Sequence, residues 1–147
     1  ITNYKESGRY VIKVSIGGDN TNYNSVFIHS DPIDLNDAPF MDFEIRVINK
    51  KPIAFMFQTQ GGERYHALNI IGNQDMYNNI DSVNSENIAD GKWHRLTWDL
   101  LNMYNENISA TKQPVIHNLI LGSWEPAEQA AVVEFRNFNM GTRNTLD

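Results

Sequence analysis

The chain has 147 residues, no cysteine, and a formal net charge of −6 from 12 basic and 18 acidic side chains. That length makes one domain, residues 1–147, with enough interior for a real core, and the lack of thiols excludes a disulfide framework and thiolate chemistry. An acidic balance without a basic stripe argues against nucleic acid and polyanions, and no apolar run approaches the ~18–20 residues of a membrane span.

The N-terminal "ITNYKESGRY" lacks the basic and apolar regions of a signal peptide. "YVIKVSI" then alternates, with Tyr10, Ile12, Val14 and Ile16 on one face and Val11, Lys13 and Ser15 on the other, which predicts a half-buried strand. "SVFIHS" predicts a short strand, and "IDLNDAP" a turn-rich approach to the next one. In "FMDFEIRVI", Met41, Phe43, Ile45 and Val47 alternate with Asp42, Glu44 and Arg46, the cleanest period-two pattern in the chain. "PIAFMFQTQ" and "RYHALNII", joined by "GGE", read as a hairpin.

Residues 72–90 read as a long, polar, Asn-rich loop. "KWHRLTWDLL" restores alternation through Leu96, Trp98 and Leu100, which puts Trp98 in the core, with Trp93 sealing a core edge. A helical turn is expected at residues 101–104, and "VIHNLILG" and "AVVEFRNFNM" supply the last two strands. Eight or nine strands with almost no helix predict an all-β antiparallel sandwich of jelly-roll type.

Taken in order, "DPIDLNDAPFMDFEIRV", "FQTQGGERY", "DGKWHRLTWDLL" and "HNLILGSWEPAEQAAVVEFRNFNM" resemble the carbohydrate-binding modules with a galactose-binding-domain-like jelly roll. The resemblance covers most of the chain by order of elements. It implies a noncatalytic, monomeric glycan-binding domain, secreted or at the cell surface, attached to a glycoside hydrolase, polysaccharide lyase or esterase. Many such modules hold a structural calcium between the first and last strands. Glu6 and Glu134 fall at roughly the matching elements, so the resemblance marks them as candidate metal ligands.

Sugar binding needs an aromatic ring for the C–H face of a pyranose and planar polar groups for its hydroxyls. Trp124 meets the first need: it follows the strand "LILG" and precedes Glu125 and Pro126. Tyr77 stands in the Asn-rich loop beside Gln74, Asp75 and Asn78. The hairpin offers another patch. If Phe55, Phe57, Leu68 and Ile70 point inward, Gln58, Tyr65 and Asn69 line the opposite face, with Arg64 at its end. The 19 asparagines suit turns, and some of their amides could also face a polyhydroxylated ligand. The site is therefore either a sheet groove or an end-loop pocket.

Two other classes stay open. Glu63, Glu125 and Glu128 could converge for acid/base work on a glycosidic bond, although the four histidines are scattered and no H-E-x-x-H or G-x-S-x-G motif occurs. A protein-contact adhesion module would want a contiguous apolar patch, whereas the aromatics here stand singly among amides.

Overall fold

The computed structural model describes residues 1–18, 24–62, 64–72, 78–82, 85–123 and 129–141. Eleven strands occur among them: β1 (Thr2–Glu6), β2 (Arg9–Gly17), β3 (Asn24–His29), β4 (Ile33–Asp34), β5 (Phe40–Asn49), β6 (Ile53–Thr59), β7 (His66–Ile71), β8 (Asn78–Ser82), β9 (His94–Asp99), β10 (Val115–Ser123) and β11 (Ala130–Gly141). Two short helices, α1 (Ser85–Ile88) and α2 (Leu100–Asn107), complete the described elements.

The strands form two sheets. The first runs β1-β2-β11-β5-β9; the second runs β3-β10-β6-β7-β8, with the two-residue β4 also pairing with β10. Every pair is antiparallel except β7–β8. The chain is thus an all-β antiparallel sandwich with little helix, as the alternation predicts.

The core fills the space between the sheets. β5 contributes Met41, Phe43, Ile45 and Val47, all buried, as its period-two pattern requires. Phe43 sits at the centre, with ring centroids 5.3 Å from Phe55, 5.6 Å from Trp98 and 5.5 Å from Phe135. These edge-on and tilted contacts join strands of both sheets and suit the aromatic quadrupole. Trp98 is in the core, as expected.

The sequence reading misses three strands. β1 pairs with β2 through a two-residue turn, Ser7–Gly8, in which both residues have positive φ (50° and 78°). That backbone matches the twist of a tight hairpin, and the Ser-Gly dipeptide is its sequence signal. β4 is only two residues long. β8 and α1 occupy part of the expected 72–90 loop, where "NNIDS" carries no alternation; its pairing alongside β7 comes from backbone hydrogen bonding, which no side-chain pattern announces. In β2, Val14 and Ile16 are buried as expected, but Tyr10 and Ile12 are exposed and Val11, on the face read as the opposite one, is fully buried, so the expected alternation holds only in the second half of the strand.

The single helical turn expected at residues 101–104 is an eight-residue helix. Asp99 caps it by accepting a hydrogen bond from the Asn102 amide at 3.0 Å. Leu100 and Tyr104 anchor it in the core.

Candidate functional site

The outer face of the second sheet holds the described part of the expected sugar surface. The parity is as predicted: Phe55, Phe57, Leu68 and Ile70 point into the core. The register pairs Met56 with Ala67 and Ala54 with Asn69. On the other side of β6, Gln58 pairs with His117 of β10. Gln58 and His117 therefore lie side by side on β6 and β10, and Tyr65 immediately precedes β7 at that end of the sheet.

A bulge in β10 adds a fourth planar group. The register shifts between His117 and Ile120, and Asn118 takes a positive φ of 53°. An asparagine tolerates that conformation better than most residues. Its amide donates to Gln58 Oε1 at 2.7 Å, and the His117 ring nitrogen lies 3.1 Å from the Thr59 carbonyl oxygen. Beside these groups, Ala54, Met56, Ala67 and Ile120 form a small buried apolar floor against which the half-buried Tyr65 packs. Arg64 is exposed at the rim.

Asn69 corrects the expectation. It lies on the predicted face but is fully buried beside Ala54, so its amide does not reach an exposed ligand. Strand alternation gives the face a side chain occupies, not whether that face is covered. Trp124 and Tyr77 lie outside the described residues, as do Glu63, Glu125 and Glu128. His117 and Asn118 were not singled out from the sequence. Their signal is the two consecutive polar residues between Ile116 and Leu119, which interrupt the alternation where the bulge occurs.

The outer face of the first sheet is a built layer of charges. Its alternate residues on β5 are Asp42, Glu44 and Arg46, each paired across strands. Arg95 donates to Asp42 at 2.7 and 3.1 Å, and Thr97 also donates to Asp42 at 3.0 Å. Arg136 donates to Glu44 at 3.1 Å, and Asn137 donates to the same carboxylate. Burial pushes Glu44 up, but the hydrogen bonds from Arg136 and Asn137 and the Arg136 charge outweigh it, and its pKa falls below the ordinary value.

Glu6 and Glu134, the expected calcium ligands, do come together, around Arg46. Its guanidinium donates to Glu134 at 2.9 Å and to Glu6 at 2.8 and 3.3 Å. Tyr4 donates its hydroxyl to Glu134, and the Trp93 indole donates to Glu6 at 3.1 Å. Calcium takes six to eight oxygen ligands. Here the partners of both carboxylates are hydrogen-bond donors, with a resident cation between them. This donor set does not fit calcium. Among the described residues, no cluster of three or more acidic or histidine side chains is placed to hold a metal.

Trp93 also departs from expectation. It belongs to this outer layer rather than to the core edge. The Arg46 and Arg136 guanidinium carbons lie 4.6 and 4.1 Å from its ring centroid, within cation–π range. Arg136 Nε is buried without a hydrogen-bond partner, so the indole is its electrostatic compensation. Period two explains the placement: Trp93 shares parity with Arg95 and Thr97, opposite to Leu96 and Trp98.

Comparison of the chain with protein-family models, with curated proteins and with solved structures gave no match.

Proposed function

We propose that this domain is a noncatalytic binder of a polysaccharide or oligosaccharide that holds a linked carbohydrate-active enzyme near its substrate outside the cell. The group Tyr65, Gln58, His117 and Asn118 carries this reading. A sugar needs one aromatic face and several planar hydrogen-bonding groups within one ring's reach, and this group supplies both. The apolar floor under Tyr65 holds the ring in place before a ligand arrives, which lowers the ordering cost of binding. Arg64 at the rim suits an outlying hydroxyl or a uronate. Affinity per site is modest, because each hydroxyl exchanges water for protein at small net gain.

Neither Glu6 nor Glu44 suits the part of a glycosidic general acid. A glycosidic general acid needs a raised pKa, whereas hydrogen bonds to Arg46 and Trp93 hold Glu6 below its ordinary value, and Glu44 is likewise held down. No helix among the described residues is long and apolar enough to cross a membrane.

The test is affinity electrophoresis against neutral and acidic polysaccharides, with wild type beside Tyr65→Ala and Trp124→Ala. Retardation of wild type by one polymer, lost in Tyr65→Ala and without release of reducing ends, is the expected result. Loss in Trp124→Ala alone moves the site to the segment around Trp124. Free migration of wild type in every gel contradicts the proposal.

A further inference from the structure

Hydrogen bonds within the second sheet fix which atoms of its outer face remain to meet a sugar. The His117 ring nitrogen Nε2 lies 3.1 Å from the Thr59 carbonyl oxygen. A carbonyl only accepts, so Nε2 carries the proton, and Nδ1 of the neutral ring is a lone-pair acceptor. Asn118 turns its amide nitrogen to Gln58 Oε1 at 2.7 Å, which leaves its carbonyl oxygen Oδ1 as an acceptor on the opposite edge of the amide. Neither His117 Nδ1 nor Asn118 Oδ1 has a hydrogen-bond partner among the described residues. The one buried side-chain nitrogen or oxygen there without a partner is Arg136 Nε, so these two atoms are reached by solvent. Both carriers are held in place. His117 is in the ladder opposite Gln58, and the Asn118 backbone amide donates to the Ser30 carbonyl at 3.3 Å. Arg64 at the rim is itself engaged within the chain.

We propose, resting on the reading of this face as a glycan site, that it selects a neutral sugar: two neighbouring hydroxyls of one ring donate to His117 Nδ1 and Asn118 Oδ1 while the C–H face lies on Tyr65. A hydroxyl brings one donor hydrogen to each lone pair. A carboxylate is acceptor-only, so against two lone pairs it loses its water and gains no hydrogen bond. The pair thus discriminates by repulsion as well as by attraction. The net charge of −6 acts in the same direction at longer range. Because consecutive residues of β10 supply both acceptors, they ask for hydroxyls on adjacent carbons. Both acceptors are fixed before a ligand arrives, which lowers the ordering cost of binding.

The experiment is isothermal titration calorimetry of the whole domain with matched β-1,4-linked pairs that differ only at C6: cellohexaose against a glucuronate hexamer, and mannohexaose against a mannuronate hexamer. The proteins are wild type, His117→Leu and His117→Gln. In wild type the neutral member of a pair is expected to bind about tenfold tighter than the acidic one. His117→Leu removes one acceptor, so it weakens the neutral member about tenfold and narrows the gap within the pair, a change that general loosening of the sheet would not make. His117→Gln returns an acceptor and recovers most of the affinity. A uronate hexamer that binds as tightly as its neutral partner overturns the proposal and leaves the glycan reading standing, as does unchanged affinity in a folded His117→Leu. If His117→Leu does not melt cooperatively, the wild-type pairs decide alone. Failure of every hexamer to bind overturns the glycan reading itself, and this proposal with it.

Discussion

Replacing Arg46 with methionine isolates what organises the outer face of the first sheet. Methionine keeps the apolar stem against its neighbours and removes the cation. Glu134 is 4% exposed and keeps Tyr4 as a hydrogen-bond donor, but it loses the guanidinium nitrogen 2.9 Å away. Breaking one side of a buried ion pair costs about 3–5 kcal/mol, mostly because the remaining charge stays desolvated. Arg46 retains 20% side-chain exposure, so water partly re-enters and the lower end applies, about 3 kcal/mol. Glu134→Gln in the Arg46→Met background removes the stranded charge and should restore most of that loss. A double-mutant cycle by urea denaturation measures the coupling directly. A single-mutant cost under about 1 kcal/mol, or no recovery in the double mutant, would refute the view that the pair's strength lies in burial.

Further outcomes follow from the same geometry. With Arg46 as the cation between Glu6 and Glu134, EDTA leaves the wild-type Tm unchanged; a fall on chelation, reversed by calcium, would mean that a metal sits there instead. Phe43→Ala empties the centre of the aromatic cluster and should cost about 3–5 kcal/mol in a urea titration, whereas a cost below about 1 kcal/mol would mean that the core repacks around it. Acidification should destabilise in two stages. Burial holds the His66 pKa below 6.5; hydrogen bonds from Arg46 and Trp93 hold Glu6 below 4.5, and those from Arg136 and Asn137 hold Glu44 there against its burial. All three folded pKa values lie below the unfolded ones, so the stabilisation is complete above the unfolded value and lost as pH falls through the folded one. The urea midpoint should therefore begin to fall below pH 6.5, and fall further below pH 4.5. His66→Gln flattens the first stage only; a midpoint that rises with acid would contradict the assignment.

Those parts of the fold with a strong local signal were legible in the sequence. In β5 one face is all core, so its alternation shows without context. The β6–β7 hairpin was readable because both strands are apolar and the link contains glycines. β8 was not, because its position rests on a backbone ladder to β7 rather than on side-chain pattern. At the site, parity placed Gln58 and Tyr65 on the correct face but left the burial of Asn69 undetermined, since burial depends on what covers a sheet. Trp93, just ahead of β9, reads as sealing a core edge, although its parity with Arg95 and Thr97 places it among the charges. The resemblance pairs Glu6 with Glu134 as calcium ligands; both side chains do meet, but on Arg46, a cation from a third strand that the resemblance does not supply.

The most direct test of the glycan-binding account is a titration of ¹⁵N-labelled domain with a panel of oligosaccharides, followed by amide chemical shifts. The account predicts that one sugar gives saturable shifts concentrated at Gln58, Tyr65, His117 and Asn118, with the outer face of the first sheet unmoved. Shifts centred on Trp93 and Arg136, or no saturable shifts with any glycan, would contradict it.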